Sequence, residues 1–300
     1  WKTDFNISHN RNIIKSLGPL TQSGTDYYLV PSGWVNNLFD FKVQLGQPVG
    51  MFYGYVTEGR YEISDFDFNP ANNTYKLKDG VPSTTNVALG NRAAQPGDLK
   101  LRDINGDGVI DTKDQTVLGN AQPKFYGGFN QTFKYKNFDM SLFFNFSVGN
   151  KVYNANKMEF TTKYQYTDQN MLAGKSNRFK WFDGDLKITD PTELAALNAN
   201  TTMWTPSAGN YFLHSYAIED GSFLRLNNVT LGYTLPKDAL KMLGISNFRL
   251  YATANNVFTI TGYSGYDPEV STRKSTLTPN VDYAAFPRSR FFLTGVDITF

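Results

Sequence analysis

Phe138-Asp139-Met140-Ser141-Leu142-Phe143-Phe144-Asn145-Phe146-Ser147-Val148 alternates with period two: Phe138, Met140, Leu142, Phe144, Phe146 and Val148 fall on one side, and Asp139, Ser141, Phe143, Asn145 and Ser147 on the other. That periodicity belongs to a strand with one oily and one mostly polar face. Upstream, Phe125, Gly127, Phe129, Gln131, Phe133 and Tyr135 share a face, and Lys136-Asn137 is short enough for a tight hairpin, so the two segments should pair. Downstream, Val229, Leu231, Tyr233 and Leu235 alternate with Asn228, Thr230, Gly232 and Thr234, and Phe248, Leu250, Ala252 and Ala254 alternate with Arg249, Tyr251, Thr253 and Asn255. Pro236 to Gly244 between them reads as a compact turn. The last segment places Phe292, Val296, Ile298 and Phe300 together, and the first places Trp1, Thr3, Phe5 and Ile7 together.

Six strands follow, at about 1-9, 124-135, 137-149, 222-235, 247-261 and 288-300. At roughly ten to fourteen residues most exceed the five or six typical of soluble sheets, and about ten tilted residues cross a bilayer. Their connections alternate between short (136-137, 236-246) and very long (about 10-123, 150-221 and 262-287). A compact soluble domain rarely carries several long polar loops, whereas outer-membrane barrels pair short periplasmic turns with long extracellular loops. The expected fold is all-β: antiparallel strands forming an arc of a large transmembrane barrel, the chain's end lying on the periplasmic side. A short edge strand at Phe39 to Leu45 and a turn of helix after Asp190-Pro191 are expected inside the loops. A large soluble β-sandwich is the alternative this pattern leaves open.

Composition narrows the function. The 300 residues include 24 Phe, 18 Tyr and 4 Trp, yet mean hydropathy is −0.41 and no apolar run approaches the length of a membrane helix. With 29 basic and 27 acidic side chains the net charge of +2 offers no field to attract nucleic acid, so none is expected as a partner. The absence of cysteine removes thiol catalysis, thiolate metal sites and disulfides. The N-terminal residues carry no basic stretch followed by an apolar one, so either the mature chain begins here or it is part of something longer.

The sharpest local motif is Asp103-Ile104-Asn105-Gly106-Asp107-Gly108-Val109-Ile110-Asp111-Thr112-Lys113-Asp114. Asp103, Asn105, Asp107, Asp111 and Asp114 place oxygens at positions 1, 3, 5, 9 and 12 of a calcium loop, Val109 offers its carbonyl at position 7, and Gly106 supplies the turn. It resembles the loops of EF-hands and dockerins, with Asp in place of the longer Glu at position 12. Structural Ca2+ is the expected cofactor; a metal-free Asp/Asn/Gly turn is the other reading. No catalytic constellation appears. His9 and His214 are the only histidines and read as ordinary surface or lumen residues. Glu219-Asp220 and Asp183/Asp185 read as solvated loop acids. Trp34, Trp181 and Trp204, with Tyr27, Tyr28, Tyr53, Tyr55, Tyr61 and Tyr211, fall in the outer loops, where they either stack on a sugar or peptide or pack the loops.

Longer strings carry a family resemblance: Pro48-Val49-Gly50-Met51-Phe52-Tyr53-Gly54-Tyr55-Val56-Thr57-Glu58-Gly59; Gly97-Asp98-Leu99-Lys100 through Asp114; Gly119-Asn120 with Pro123-Lys124-Phe125; Asp220 through Pro236; Asn255 through Glu269; and Phe286-Pro287-Arg288-Ser289-Arg290 through Phe300. Together they resemble the C-terminal barrel portion of SusC/RagA-family TonB-dependent outer-membrane transporters. The resemblance implies import of glycan oligomers or peptides under a SusD-like surface lipoprotein in a Bacteroidota-type bacterium. It also implies coupling to the TonB complex through an N-terminal part, with the plug and the remaining barrel strands outside this sequence. An open six-stranded sheet cannot span lipid by itself, because its edge N–H and C=O groups would lack partners. Two rivals differ in class: a soluble, calcium-stabilised carbohydrate-binding β protein, and a barrel enzyme such as an outer-membrane lipase or protease.

Overall fold

A computed structural model describes residues 1-18, 25-161, 170-206, 211-241, 244-272 and 275-300. Its backbone is one six-stranded antiparallel sheet carrying a folded head. The sheet strands are β1 (Lys2–Ser8), β2 (Phe125–Tyr135), β3 (Phe138–Val148), β4 (Phe223–Thr234), β5 (Asn247–Thr261) and β6 (Phe291–Thr299), hydrogen-bonded in chain order. All six expected strands are present, and β1 and β6 are open edges. β2 and β3 turn through Lys136, whose φ of +53° sits in the left-handed region. The β4–β5 turn holds a one-turn helix, Lys237–Leu240; residues 242-243 of that turn lie outside the described residues.

Register assigns the faces. Phe129 opposes Phe144 and Phe5, Met140 opposes Leu231, and Leu250 opposes Tyr233 and Val296, so large apolar side chains stack across all six strands on one side. Phe5, Phe138, Leu231, Ile260 and Phe292 are each half or more exposed or close to it. Trp1 stacks on Phe133 at 6.0 Å and Phe129 on Phe144 at 4.6 Å along this surface. The opposite, lumen face is polar: Ser141 donates to Asn130 at 3.0 Å, Asn228 to Asn255 at 2.9 Å, and the hydroxyls of Thr230 and Thr253 meet at 2.9 Å. Near the short turns Arg249 holds Asp139 at 2.6 Å and Asp297 at 3.3 Å. It reaches across β4 because Gly232 lies beneath it; a Cβ there would meet the guanidinium at 2.5 Å.

One irregularity reorients the upper wall. Leu226 pairs with Phe258 but Asn228 pairs with Asn255, so Asn227 faces two residues, Asn256 and Val257, and Asn256 takes φ +51°. On β4 the bulge reverses which positions face out, while β5 keeps its parity. Beyond it Leu224, Leu226, Phe258 and Ile260 continue the apolar side, while Phe223 and Arg225 turn to the lumen beside Thr259 and Thr261.

The long connections are not solvated loops. Tyr27–Pro31, Phe39–Gln44, Met51–Gly54 and Thr116–Asn120 make a four-stranded sheet. Phe39–Gln44 therefore lies inside that sheet, not at an edge as its sequence suggests, because Tyr27–Pro31 and Met51–Gly54 cover its two sides. The expected helix after Asp190 is present as Pro191–Asn198, with the Asp190 carboxylate accepting from Thr192 N and Glu193 N. Lys151–Asn154 pairs antiparallel with Ile218–Asp220 and parallel with Val281–Asp282, which joins the second connection to the third. Among the described residues two large hydrophobic cores result, beside a small cluster of Val152, Tyr263 and Val270. One packs Tyr61, Leu101, Ile110, Phe179, Leu194 and Trp204; the other packs Trp34, Phe41, Phe52, Tyr153, Met158 and Val281.

Candidate functional site

The lumen face meets the head at the wall's long-loop end. Arg225, turned inward by the bulge and 1% exposed, donates from Nη2 to Asp267 at 2.5 Å, from Nη1 to Glu269 at 3.2 Å and from Nε to the Thr259 hydroxyl at 3.0 Å. Arg288 holds the same two carboxylates, each at 3.0 Å. Two cations and two anions thus close on each other and tie the third connection to the wall. Asn256 donates from its side chain to the carbonyls of Arg288 and Ser289, securing the approach to β6. The sequence signal for this clasp was the charge pattern Asp267, Glu269, Arg288. Arg225 was hidden, since its facing depends on the bulge.

Asp103 to Asp114 folds as a series of side-chain-closed turns. Asp103 accepts from Gly106 N and Gly108 N, both at 2.7 Å; Asn105 accepts from Asp107 N, Asp107 from Val109 N, and Asp111 from Lys113 N. Gly106 and Gly108 take φ +75° and +82°, which a side chain would strain. Asp114 is fully buried, accepting from Ile104 N and Asp111 N at 2.8 Å. Burial pushes its carboxyl up, but the backbone donors of Asp111, Ile104 and Asn105 outweigh that and hold it below the usual carboxylate range. Ile110 anchors the loop in the first core at 0% exposure. The donor set is hard oxygen throughout and fits calcium in type. Each Asx oxygen keeps a second lone pair beside its backbone bond. In position the fit is looser: among the described residues no group of three or more His, Cys, Asp or Glu side chains converges as a metal site does. Asp114 is the loop's internal clasp.

His214 is neither a surface nor a lumen residue. It is fully buried among Trp204, Phe212 and Tyr216. Burial, helped by the positive charges of Lys175 and Lys157, pushes its pKa down to about 3. Lys175, 3% exposed, donates to the Trp204 carbonyl at 2.7 Å; burial and the nearby Arg178 charge lower its pKa to about 7. His9 contacts the Lys124 carbonyl at the wall's rim. Glu219 and Asp220 are not idle solvated acids either. Glu219 meets Lys157 at 3.4 Å and accepts from the side chains of Asn154 and Ser264; Asp220 meets Lys151 at 3.3 Å. Asp183 ends the first strand and Asp185 sits in the turn of an exposed hairpin of two short strands, Phe182–Asp183 and Leu186–Lys187. Of the outer-loop aromatics, Trp34, Trp204, Tyr55 and Tyr61 are core residues, and Trp181 stacks edge-on to Tyr75.

No family model matches the chain. Sequence relatives run its full length. TonB-dependent receptor P3 of Formosa agariphila is 30% identical over 307 residues, covering all of this chain and 27% of the relative. TonB-dependent receptor SusC of Bacteroides thetaiotaomicron is 26% identical over 305 residues, again covering all of this chain and 24% of SusC. The chain spans about a quarter of the length of the curated relatives it matches. A structure of the RagAB peptide transporter superposes with a TM-score of 0.66 at 20% identity over 99% of this chain and 27% of that one; RagAB in a closed-closed state gives 0.65 at 19%. The fold is that of a stretch of transporter barrel. Along its whole length the chain is homologous to TonB-dependent receptors, SusC among them.

Proposed function

We propose that the chain forms barrel wall and surface head of a TonB-dependent outer-membrane importer for glycan oligomers or peptides. One observation carries this reading: the six-stranded sheet shows a continuous apolar face outward and a polar face inward, while its connections bury their own apolar residues in cores of their own. A soluble sandwich buries the oily side of its sheet against a second layer; here that side is bare. Lipid is the solvent that face suits. The open edges at β1 and β6 call for further staves to complete the cylinder. The short-turn ends, at Tyr135, Thr234 and Thr299, lie on the periplasmic side and the head on the cell surface.

In this reading a SusD-like lipoprotein covers the head, and TonB acts through a plug in the N-terminal part of the whole protein. The segment is wall and mouth and carries no reaction. Calcium binds the Asp103 to Asp114 loop through Asp103, Asn105, Asp107, the Val109 carbonyl, Asp111 and Asp114, and so stiffens the head.

The test is made on the full-length protein in its own cells. It should fractionate with the outer membrane, show heat-modifiable gel mobility, and lose ligand uptake when TonB is deleted. Recovery in the aqueous fraction as a compact monomer would overturn the reading. Chelation should lower the head's melting temperature, and Asp103→Ala should remove that response.

A further inference from the structure

The outward face of the wall is not evenly filled. Near the short turns Phe138, Tyr233, Leu250 and Val296 oppose one another across β3 to β6. In the next outward row Met140 and Leu231 give way to Ala252 and Thr294. Bulk is therefore missing on β5 and β6, and a groove of about 450 Å3 opens there, walled by Phe138, Leu231, Tyr233, Leu250 and Val296. Successive outward rows stand roughly 6.8 Å apart along a strand, so the gap is one hydrocarbon chain wide. Its floor is backbone at Gly232 and Gly295. From the lumen side the Tyr251 ring covers Gly295 and the Arg249 guanidinium covers Gly232, so the floor is backed by side chains.

The end of the groove nearest the short turns carries positive charge. Tyr135 opposes Phe138, and the Lys136 ammonium lies 5.4 Å from the centre of the Tyr135 ring, on the outward side. Thr234 N donates to the Asn137 carbonyl at 2.9 Å, which sets the β4–β5 turn, with Lys237 and Lys241, beside Lys136. Asp238 in that turn is held by Lys241 at 2.7 Å, and Asp139 and Asp297 are held by Arg249 on the lumen face. Among the described residues Lys136 and Lys237 make no ion pair, so the rim keeps positive charge for an anion. A protein partner is held by broad contact, on the order of 1,600 Å2. A single slot with a cationic rim suits one apolar chain ending in one anionic head.

We propose that the groove binds one acyl chain of an anionic phospholipid of the periplasmic leaflet, its phosphate held at Lys136 and Lys237. The inference rests on the importer reading, which sets lipid against this face and the short turns at the periplasm. Tyr135 and Tyr233 stand between groove and lysines, at the level of the lipid's glycerol esters, where an apolar ring with a hydroxyl tip is at home. The chain covers the methyl of Ala252, and the lysines select a headgroup with net negative charge over a zwitterionic one.

The test uses the full-length transporter, extracted from outer membranes in mild detergent and titrated with dioleoyl-phosphatidylglycerol or dioleoyl-phosphatidylcholine. Native mass spectrometry reads the lipid-bound fraction. Phosphatidylglycerol should bind in preference to phosphatidylcholine. Lys136→Gln combined with Lys237→Gln should weaken phosphatidylglycerol on the order of tenfold and leave phosphatidylcholine unchanged. Ala252→Leu, which fills the groove from the lipid side, should weaken both on the order of tenfold. Phe5→Leu, on the same face but at the far edge of the sheet, should weaken neither. Heat-modifiable mobility of each variant shows that its barrel has assembled. Four results overturn the lipid site: equal retention of the two lipids, retention indifferent to Ala252→Leu, lipopolysaccharide held in their place, or a change of oligomeric state with Ala252→Leu, which would give the groove to a second copy. All four leave the importer reading standing; a chain that never reaches the outer membrane defeats both.

Discussion

Wall and head are made from the same large apolar residues and dispose of them in opposite ways. In the wall Phe5, Phe138, Phe292 and Ile298 point away from the protein; in the head Phe41, Phe52, Tyr61 and Phe179 are hidden. Burial alone therefore does not reveal the stabilising contact: the solvent on the far side does. The head gains by withdrawing apolar area from water. The wall, in the proposed reading surrounded by hydrocarbon, is held by strand pairing that satisfies the backbone between its edges and leaves the open sides of β1 and β6 to further staves.

The largest expected effect tests the head. Phe52→Ala in the full-length receptor should cost about 3–5 kcal/mol of head stability, seen as protease cleavage within 10-123 while the barrel keeps its heat-modifiable mobility. Equal sensitivity of both parts would show that they unfold as one. Next is the wall: Leu142→Arg should cost about 2–4 kcal/mol of barrel stability, whereas Ser141→Arg, one residue away on the lumen face, should be tolerated. If Ser141→Arg were the more damaging, the faces would be reversed. A third outcome concerns acid. His214 stays neutral in the folded head down to about pH 3 but protonates near its ordinary value when unfolded, so head stability should fall as pH drops from about 6.5 toward 3. His214→Gln should flatten that limb of a melting-temperature profile.

The smallest effect has the opposite sign. Asp40 is fully buried and accepts from Ser32 N and the Ser32 hydroxyl; burial raises its carboxyl to about 7. The folded state holds this proton from about pH 4 to 7 after the unfolded chain has lost it, so stability contributed at low pH disappears as pH rises through that window. Asp40→Asn should raise the melting temperature near neutrality relative to pH 4. Wall strands lack these residues, and their heat-modifiable behaviour should not follow either profile.

Why the wall was legible and the head was not follows from the same contrast. A strand facing lipid on one side and water on the other writes its environment into every second residue, as Phe138 to Val148 does. The rule breaks where the backbone does. At Asn227 opposite Asn256 and Val257 the parity reverses, and nothing in the local alternation placed Arg225 inward. In the head, strands run only two to six residues, and each core draws on distant segments: Phe41, Tyr153 and Val281 come from three different connections. For Trp34 and Trp204 the sequence leaves ligand stacking and loop packing both open, and the structure shows packing; His214, which reads as a surface or lumen residue, is interior as well. The calcium-type loop was visible because its turns are local, with Asp103, Asn105 and Asp107 closing on backbone N–H groups two to five residues away.

Val281, paired with Tyr153 and enclosed in the second core, sets an order on biogenesis. A chain emerging from its N-terminus presents Phe41 and Phe52 long before residue 281 exists, and until then those rings are adhesive surface in an aqueous compartment. Holding chaperones and rapid delivery to the membrane are therefore needed most for the part of the molecule that finally never touches lipid.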